Sequence, residues 1–136
     1  MRINGIAAAD RFKALADSTR LRIVNLLREG SLCVCNIEQV LEISQTSASR
    51  HLAKLQAAGI LESERHAQWV YYRISAQFLR DHEALMTYLH READAEPQLQ
   101  QDQARLAQHI AEGTLCAVLD PVPIPAMRLE RAPHAR

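Results

Sequence analysis

Apolar side chains first recur at helical spacing over Ile6 to Ala16, where Ile6, Phe12 and Leu15 are the larger ones. The run closes at Asp17-Ser18-Thr19, residues whose side chains accept backbone hydrogen bonds at a helix start. A second helix is expected over Thr19 to Arg28: Leu21, Val24 and Leu27 form its stripe, Ile23 and Leu26 widen it, and Gly30 supplies the stop. Asn36 can cap a short third helix, Ile37 to Glu42, and Ser44 lies in the turn before a fourth that runs to Ala58. At about 100° per residue, Ala48, Leu52 and Leu55 share one face of this fourth helix and Thr46, Arg50, Ala53 and Ala57 the other, so one side packs and one stays free. Two helices joined by so short a turn form a helix-turn-helix.

After Gly59 the period changes. Ile60-Leu61-Glu62-Ser63-Glu64-Arg65 and Trp69-Val70-Tyr71-Tyr72-Arg73-Ile74 are β-prone runs joined at His66-Ala67-Gln68, a hairpin that makes a wing. Helical spacing returns from Gln77 to Ala93 through Phe78, Leu85, Met86 and Leu89; Pro97 interrupts it, and a last helix is expected from Gln98 to Ala111, ended by Gly113. Leu115 to Leu119 is a small apolar patch, and Asp120-Pro121-Val122-Pro123-Ile124-Pro125 opens a tail with little prospect of packing. The expected fold is therefore mainly α with a small β-hairpin, a winged helix-turn-helix. A helical unit of 136 residues often completes its buried surface by pairing, so a dimer is expected. The chain divides into a DNA-binding and dimerisation domain over 1–96, a helical extension over 97–120 that carries Cys116, and a tail over 121–136 expected to be disordered.

Composition adds less than distribution does. Sixteen Lys and Arg balance sixteen Asp and Glu, so affinity for a polyanion has to come from where the charges lie. From Ser44 to Ala58 the formal charges are Arg50 and Lys54, with His51 beside them, while Glu92, Asp94, Glu96, Asp102, Glu112 and Asp120 gather in the C-terminal third. The free face and its flanks make Gln45, Thr46, Ser47, Ser49, Arg50, His51 and Lys54 candidates for a DNA groove, with Arg65, His66 and Gln68 of the wing for backbone or minor-groove contact. No apolar run approaches bilayer length and no charged leader precedes the first helix, so a cytoplasmic protein away from membranes is expected, its three cysteines reduced. No glycine-rich phosphate loop and no nucleophilic triad suggests an enzyme, and Cys-x-Cys away from a βαβ pattern is a poor thiol-disulfide catalyst.

Several linked stretches carry a resemblance: Lys13 to Ile23 (Lys-Ala-Leu-Ala-Asp-Ser-Thr-Arg-Leu-Arg-Ile), Leu32-Cys33-Val34-Cys35-Asn36-Ile37, Ser47-Ala48-Ser49-Arg50-His51-Leu52 and Leu55 to Leu61. In this order they resemble the ArsR/SmtB family of winged-helix metal-sensing repressors over about Asp10 to Ser75, and the Leu-Cys-Val-Cys stretch is most similar to the arsenic-responsive members. The resemblance implies a homodimer whose first and post-wing helices form the interface, bound to double-stranded operator DNA when free of inducer and released when inducer binds. It also implies thiolate ligands at Cys33 and Cys35. Where the arsenic-responsive members have a third cysteine shortly after the pair, this chain reads Asn36-Ile37-Glu38, and the remaining thiol is Cys116.

Thiolates favour thiophilic ions, and a Cys-x-Cys without a histidine cluster suits a low-coordinate site better than tetrahedral zinc. As(III) or Sb(III) as inducer, held in a pyramid by Cys33, Cys35 and Cys116, is the expected chemistry, with Cys116 from the same subunit or its partner. Two alternatives remain open: a Cd(II)- or Pb(II)-responsive repressor of the same family, some of whose members use distant C-terminal cysteines, and a repressor that senses thiol oxidation. Histidines 82 and 90 do not reproduce the zinc-sensor spacing and are expected at the surface. Two cysteines in regular helix would point about 200° apart, so closing on one ion requires an irregular turn at residues 33–35.

Overall fold

The computed structural model describes residues 5–117, so the expected tail over 121–136 and the last residues of the extension lie outside the described part. In chain order it has α1 Ala7–Leu15, α2 Ser18–Leu26, a 3₁₀ turn Leu27–Glu29, β1 Leu32–Cys33, α3 Val34–Leu41, α4 Gln45–Ala57, β2 Leu61–His66, β3 Trp69–Ile74, α5 Ala76–Asp81, α6 Glu83–Ala95 and α7 Pro97–Glu112. The helix starts are closed by short polar side chains: Asp17 Oδ2 accepts from the Arg20 N–H at 3.0 Å, Ser44 Oγ from Ser47 at 3.1 Å and Ser75 Oγ from Phe78 at 3.2 Å. Among the described residues no helix is long and apolar enough to cross a membrane.

The core sits where α2, α3 and α4 meet the sheet. Ile23, Ile37, Ala48, Leu52, Leu55 and Ile60 are fully buried there, which bears out the face assigned to Ala48, Leu52 and Leu55. The winged helix-turn-helix expected from the periodicity is the fold observed, with corrections in detail. The third helix starts at Val34 rather than Ile37, because Cys33 occupies the cap position in extended backbone and Asn36 reaches back to the Cys33 N–H from the first turn. A strand that periodicity did not signal, β1, pairs antiparallel with β3, Leu32 opposite Tyr72 and Cys33 opposite Tyr71, so the sheet order is β1-β3-β2 and the wing is anchored to the start of α3.

The single helix expected over Gln77 to Ala93 is broken at His82, whose backbone leaves the helical region at φ −133° and ψ 44°. An unbroken helix would put Leu85 and Leu89 on the side of Phe78 and leave Met86 aside. The break rotates the stripe: Phe78 and Met86 are both buried, while Leu85 and Leu89 are half-buried.

The last helix returns across the body of the molecule. Leu106 of α7 belongs to the common core. Asp102, almost wholly buried, accepts from Arg22 Nε at 2.8 Å and Nη2 at 3.0 Å, and from Gln98 Nε2 at 3.0 Å. Asn25 Nδ2 donates to the Leu99 carbonyl at 3.0 Å, and Gln103 Nε2 to the Asn25 carbonyl at 2.5 Å. Arg105 pairs with Glu42 at 2.7 Å, bracing the turn between α3 and α4, where Glu42 itself takes a left-handed φ of 59°.

Replacing Asp102 by Ala strands the Arg22 guanidinium against α7 and is expected to lower the stability of the folded chain by about 3 kcal/mol, the low end for breaking a buried pair because Arg22 keeps some exposure. Urea titration followed by circular dichroism measures this. Arg73→Ala, which breaks the solvent-exposed pair with Glu62, is expected to cost far less.

Candidate thiol site and nucleic-acid interface

Cys33 ends β1 and caps α3 with φ −88° and ψ 169°, whereas Cys35 lies in the first helical turn. The turn is thus irregular in the sense the spacing required, since the first cysteine stands outside the helix and both sulfurs face one side. α7 ends at Gly113 in the left-handed conformation, and the chain then turns back along α3 and brings Cys116 of the same protomer to the pair. The Cys33, Cys35 and Cys116 sulfurs all lie within 4.8 Å of one another, the one such donor cluster among the described residues. Two thiolates on one thiophilic ion, with bonds of about 2.3 Å, can stand at most roughly 4.6 Å apart, so the three sulfurs are near the spacing such an ion needs, and closing on it draws them together.

The expectation of three reduced thiols needs correction for this structure. Cys35 and Cys116 are joined as a disulfide with their Cα atoms 6.3 Å apart, and Cys33 is a buried free thiol beside them. The same proximity that suits a shared ion suits this bond, and reduction of the pair restores three donors. Burial pushes the Cys33 thiol above its ordinary value, opposed by backbone N–H groups of Asn36 and Cys35 that point at the sulfur.

On α4, Gln45, Thr46, Ser49, Arg50 and Lys54 are exposed and Ser47 is half-buried in the first turn. His51 does not share that free face. It is buried against α2, its Nδ1 3.1 Å from Arg20 Nη1 and 3.9 Å from Asp17 Oδ2, because position 51 falls on the flank of α4 that packs on the start of α2. Arg20 also donates from Nε to the Ala14 carbonyl at 2.5 Å, so the imidazole, the guanidinium and Asp17 form one clamp that sets α4 against α1 and α2. On the wing Arg65 and Gln68 are exposed; His66 is half-buried, its Nε2 3.2 Å from Glu64 and its ring edge-on to Tyr71. The hairpin turns at Ala67, which takes a positive φ of 59°, and Gln68.

A cleft of about 390 Å³ joins these two regions, lined by Cys33, Cys35, Glu38, Gln45, Gln68 and Trp69. The thiol pair, the first residue of the exposed α4 face and the wing tip therefore border one space. Sequence reasoning missed Asn36 and Gln39 as parts of the thiol site: both bind the segment around Cys116, about 80 residues away, and no local pattern signals such a contact.

Residues 17–63 match the family model described as bacterial regulatory protein, arsR family. Over 64 residues the chain is 58% identical to the arsenic resistance transcriptional regulator ArsR1 of Pseudomonas putida, covering 46% of this chain and 50% of that protein. Over 78 residues it is 37% identical to the cadmium resistance regulatory protein CadC homolog of Staphylococcus aureus, covering 57% and 64%. The chain thus spans about half the length of the first of these relatives. Both are transcriptional regulators. Among solved structures, HlyU from Vibrio cholerae is similar at 34% identity and a TM-score of 0.57, over 67% of this chain and 96% of that one. So is a homodimeric winged helix-turn-helix DNA-binding domain from Mycobacterium bovis, at 32% identity and a TM-score of 0.56, over 63% and 80%.

The clamp on α4 gives a pH dependence. Burial lowers the His51 pKa from its ordinary 6.5, with the Arg20, Arg50 and Lys54 charges adding to the shift and Asp17 opposing it. The folded chain therefore binds fewer protons at this site than the unfolded one, so its contribution to stability is full above about pH 6.5 and is lost as pH falls toward the lowered value. His51→Gln, which cannot protonate, is expected to flatten the part of the stability curve between the histidine's ordinary and lowered values in urea titrations; His90, also lowered by burial, and, at lower pH, Asp17 and Glu42, held low by their hydrogen bonds from the Arg20 N–H and from Arg105, supply the slope that remains. An unchanged slope would show that His51 titrates freely.

Proposed function

The chain belongs to the ArsR family of bacterial regulatory proteins, and from that premise we propose that it is a homodimeric transcriptional repressor, released from its operator when trivalent arsenic or antimony binds Cys33, Cys35 and Cys116. The observation that carries this reading is the convergence of all three sulfurs within one protomer. It offers, within one chain, a third sulfur of the kind that the stretch Asn36-Ile37-Glu38 lacks. The similarity to the Pseudomonas arsenic regulator favours a trivalent metalloid. Cd(II) and Pb(II) are also thiophilic and would suit the same sulfurs, so they form the alternative inducers.

The dimer reading draws support from large apolar side chains left at the surface of α1 and the helices after the wing: Ile6, Phe12 and Tyr88 are each more than half exposed. Such a pair would present two copies of α4 to successive major grooves of double-stranded DNA. On each copy Arg50 is the candidate for a base edge or phosphate, Gln45, Thr46, Ser47, Ser49 and Lys54 flank it, and Arg65 and Gln68 reach the adjacent backbone from the wing. His51 serves by holding α4 rather than by touching DNA.

Release follows from how the sulfurs are tied to the reader. Drawing Cys33 and Cys35 toward Cys116 pulls on β1, which is paired to β3 of the wing, and on the first turn of α3, which supports α4. Ion and operator then compete through one conformational equilibrium, and each weakens the other by the same factor, typically about 1–3 kcal/mol. Three free thiolates require a reducing compartment, which fits a cytoplasmic repressor.

A second reading has its own observation, the Cys35–Cys116 disulfide: oxidation of that pair would close the same cluster without an ion. One titration separates the two. With reductant present, arsenite is expected to release the operator-bound protein, and Cys116→Ser is expected to raise the concentration needed by at least about tenfold, in line with the loss of a ligand contact. Release by peroxide and not by arsenite would favour oxidation sensing instead.

The reader is tested independently. Arg50→Ala is expected to weaken operator binding at least about tenfold while arsenite uptake by the free protein stays intact, and Arg65→Ala to lower the salt slope of binding by about one. Fluorescence anisotropy with labelled operator at several salt concentrations reads both. Full operator affinity in Arg50→Ala would show that α4 meets DNA by another face.

A further inference from the structure

Gln39 and Asn36 stand three residues apart on α3, so their side chains leave the helix from neighbouring positions on one face. Both end on the segment that follows Gly113. Gln39 Nε2 donates to the Thr114 carbonyl at 2.6 Å, and its Oε1 accepts the Cys116 N–H at 3.0 Å. Asn36 is 1% exposed; its Oδ1 accepts the Cys33 N–H at 3.0 Å, while its Nδ2 donates to the Ala117 carbonyl at 2.7 Å and lies 3.6 Å from the Cys116 sulfur. One amide therefore touches the backbone of the first cysteine and both the sulfur and the neighbouring carbonyl of the last.

We propose that Asn36 and Gln39 are positioning residues, an amide clip that seats Cys116 over Cys33 and Cys35 of the same protomer before any ion arrives. Its purpose rests on the three-thiol reading above, but the clip itself does not need an ion to be detected. Residues 114–117 have no helix or strand of their own. The α7 helix carries the chain only as far as Gly113, and an unheld segment beyond it would pay its conformational entropy at the moment of binding. The clip pays that cost in advance, which is preorganisation of the third ligand.

The choice of amides is itself chemical. A carboxylate at position 36 could still accept from the Cys33 N–H, but it could donate neither to Ala117 nor to the Cys116 sulfur, and its charge would oppose thiolate formation. An amide is neutral and does both tasks at once.

The test uses the full chain and two readouts. In glutathione redox buffers the Cys35 and Cys116 thiols give two electrons and two protons to glutathione disulfide, which leaves as two glutathione thiols while the Cys35–Cys116 bond forms. Gln39→Ala removes two hydrogen bonds from the Cys116 segment and is expected to shift this equilibrium about tenfold toward the dithiol, with operator affinity of the reduced protein unchanged. In arsenite titrations of operator-bound protein it is expected to raise the half-release concentration in the natural chain and to have no effect in the Cys116→Ser background. A merely structural role would weaken both backgrounds alike.

Asn36→Asp is the second variant, expected to disfavour the disulfide more strongly than Gln39→Ala; should it fail to fold, Gln39→Ala decides alone. A redox equilibrium unchanged in Gln39→Ala, or an equal loss of response with and without Cys116, overturns the clip. Should arsenite leave the natural chain on its operator, the inducer reading fails while the glutathione equilibrium still judges the clip.

Discussion

Everything at the thiol site depends on the return of α7 across α2, and the tie that holds that return is the pair of hydrogen bonds between Arg22 and Asp102. A carboxylate that deep is costly unless a cation meets it with matching geometry, and the planar guanidinium does so with Gln98 taking part of the remaining acceptor capacity. Around that anchor the contacts of Asn25, Gln103 and Arg105 extend the seam from α2 to the turn before α4. The seam decides where Gly113 emerges, and so whether residue 116 can reach residues 33 and 35 at all. A segment that looks like an appendage is structurally part of the thiol cluster.

The reader is held by different means. Asp17 caps α2 and, through Arg20, stands beside His51, so the cap of one helix and the flank of another share a polar clamp at the edge of the core. Leu52 and Leu55 do the apolar part of the same task. The residues left free on α4 are consequently small or polar ones and the two cations, a composition that suits a groove-facing surface. Local charge thus matters although the chain as a whole is neutral.

Between the two lies β1. Pairing of only two residues, Leu32 and Cys33, with β3 makes the first cysteine a member of the wing's own sheet. Cys35, in turn, belongs to the helix that supports α4. The two thiols thus sit on the sheet that carries the wing and on the helix that supports α4, and any chemistry that joins them acts on the relation between the two.

Much of this was legible in the order of residues. Periodicity located the reading helix and its buried face, the β-prone runs located the wing, and the linked motifs around Asp17, Cys33 and Arg50 identified the family. These signals are local, set by side chains within a turn or two of each other. The placing of His51 at or near the groove came from its position beside Arg50 and did not foresee that its flank meets Arg20, a contact 31 residues away. The break at His82 and the strand at Leu32–Cys33 were hidden because both answer to packing partners elsewhere in the chain. Sequence alone determined that there are three thiols and that two of them adjoin a DNA reader. Only the tertiary structure decided that the third lies beside them within one chain, because that depends on a buried ion pair and two amides closing a loop of some 80 residues, and contacts at such separation leave no period or motif to read.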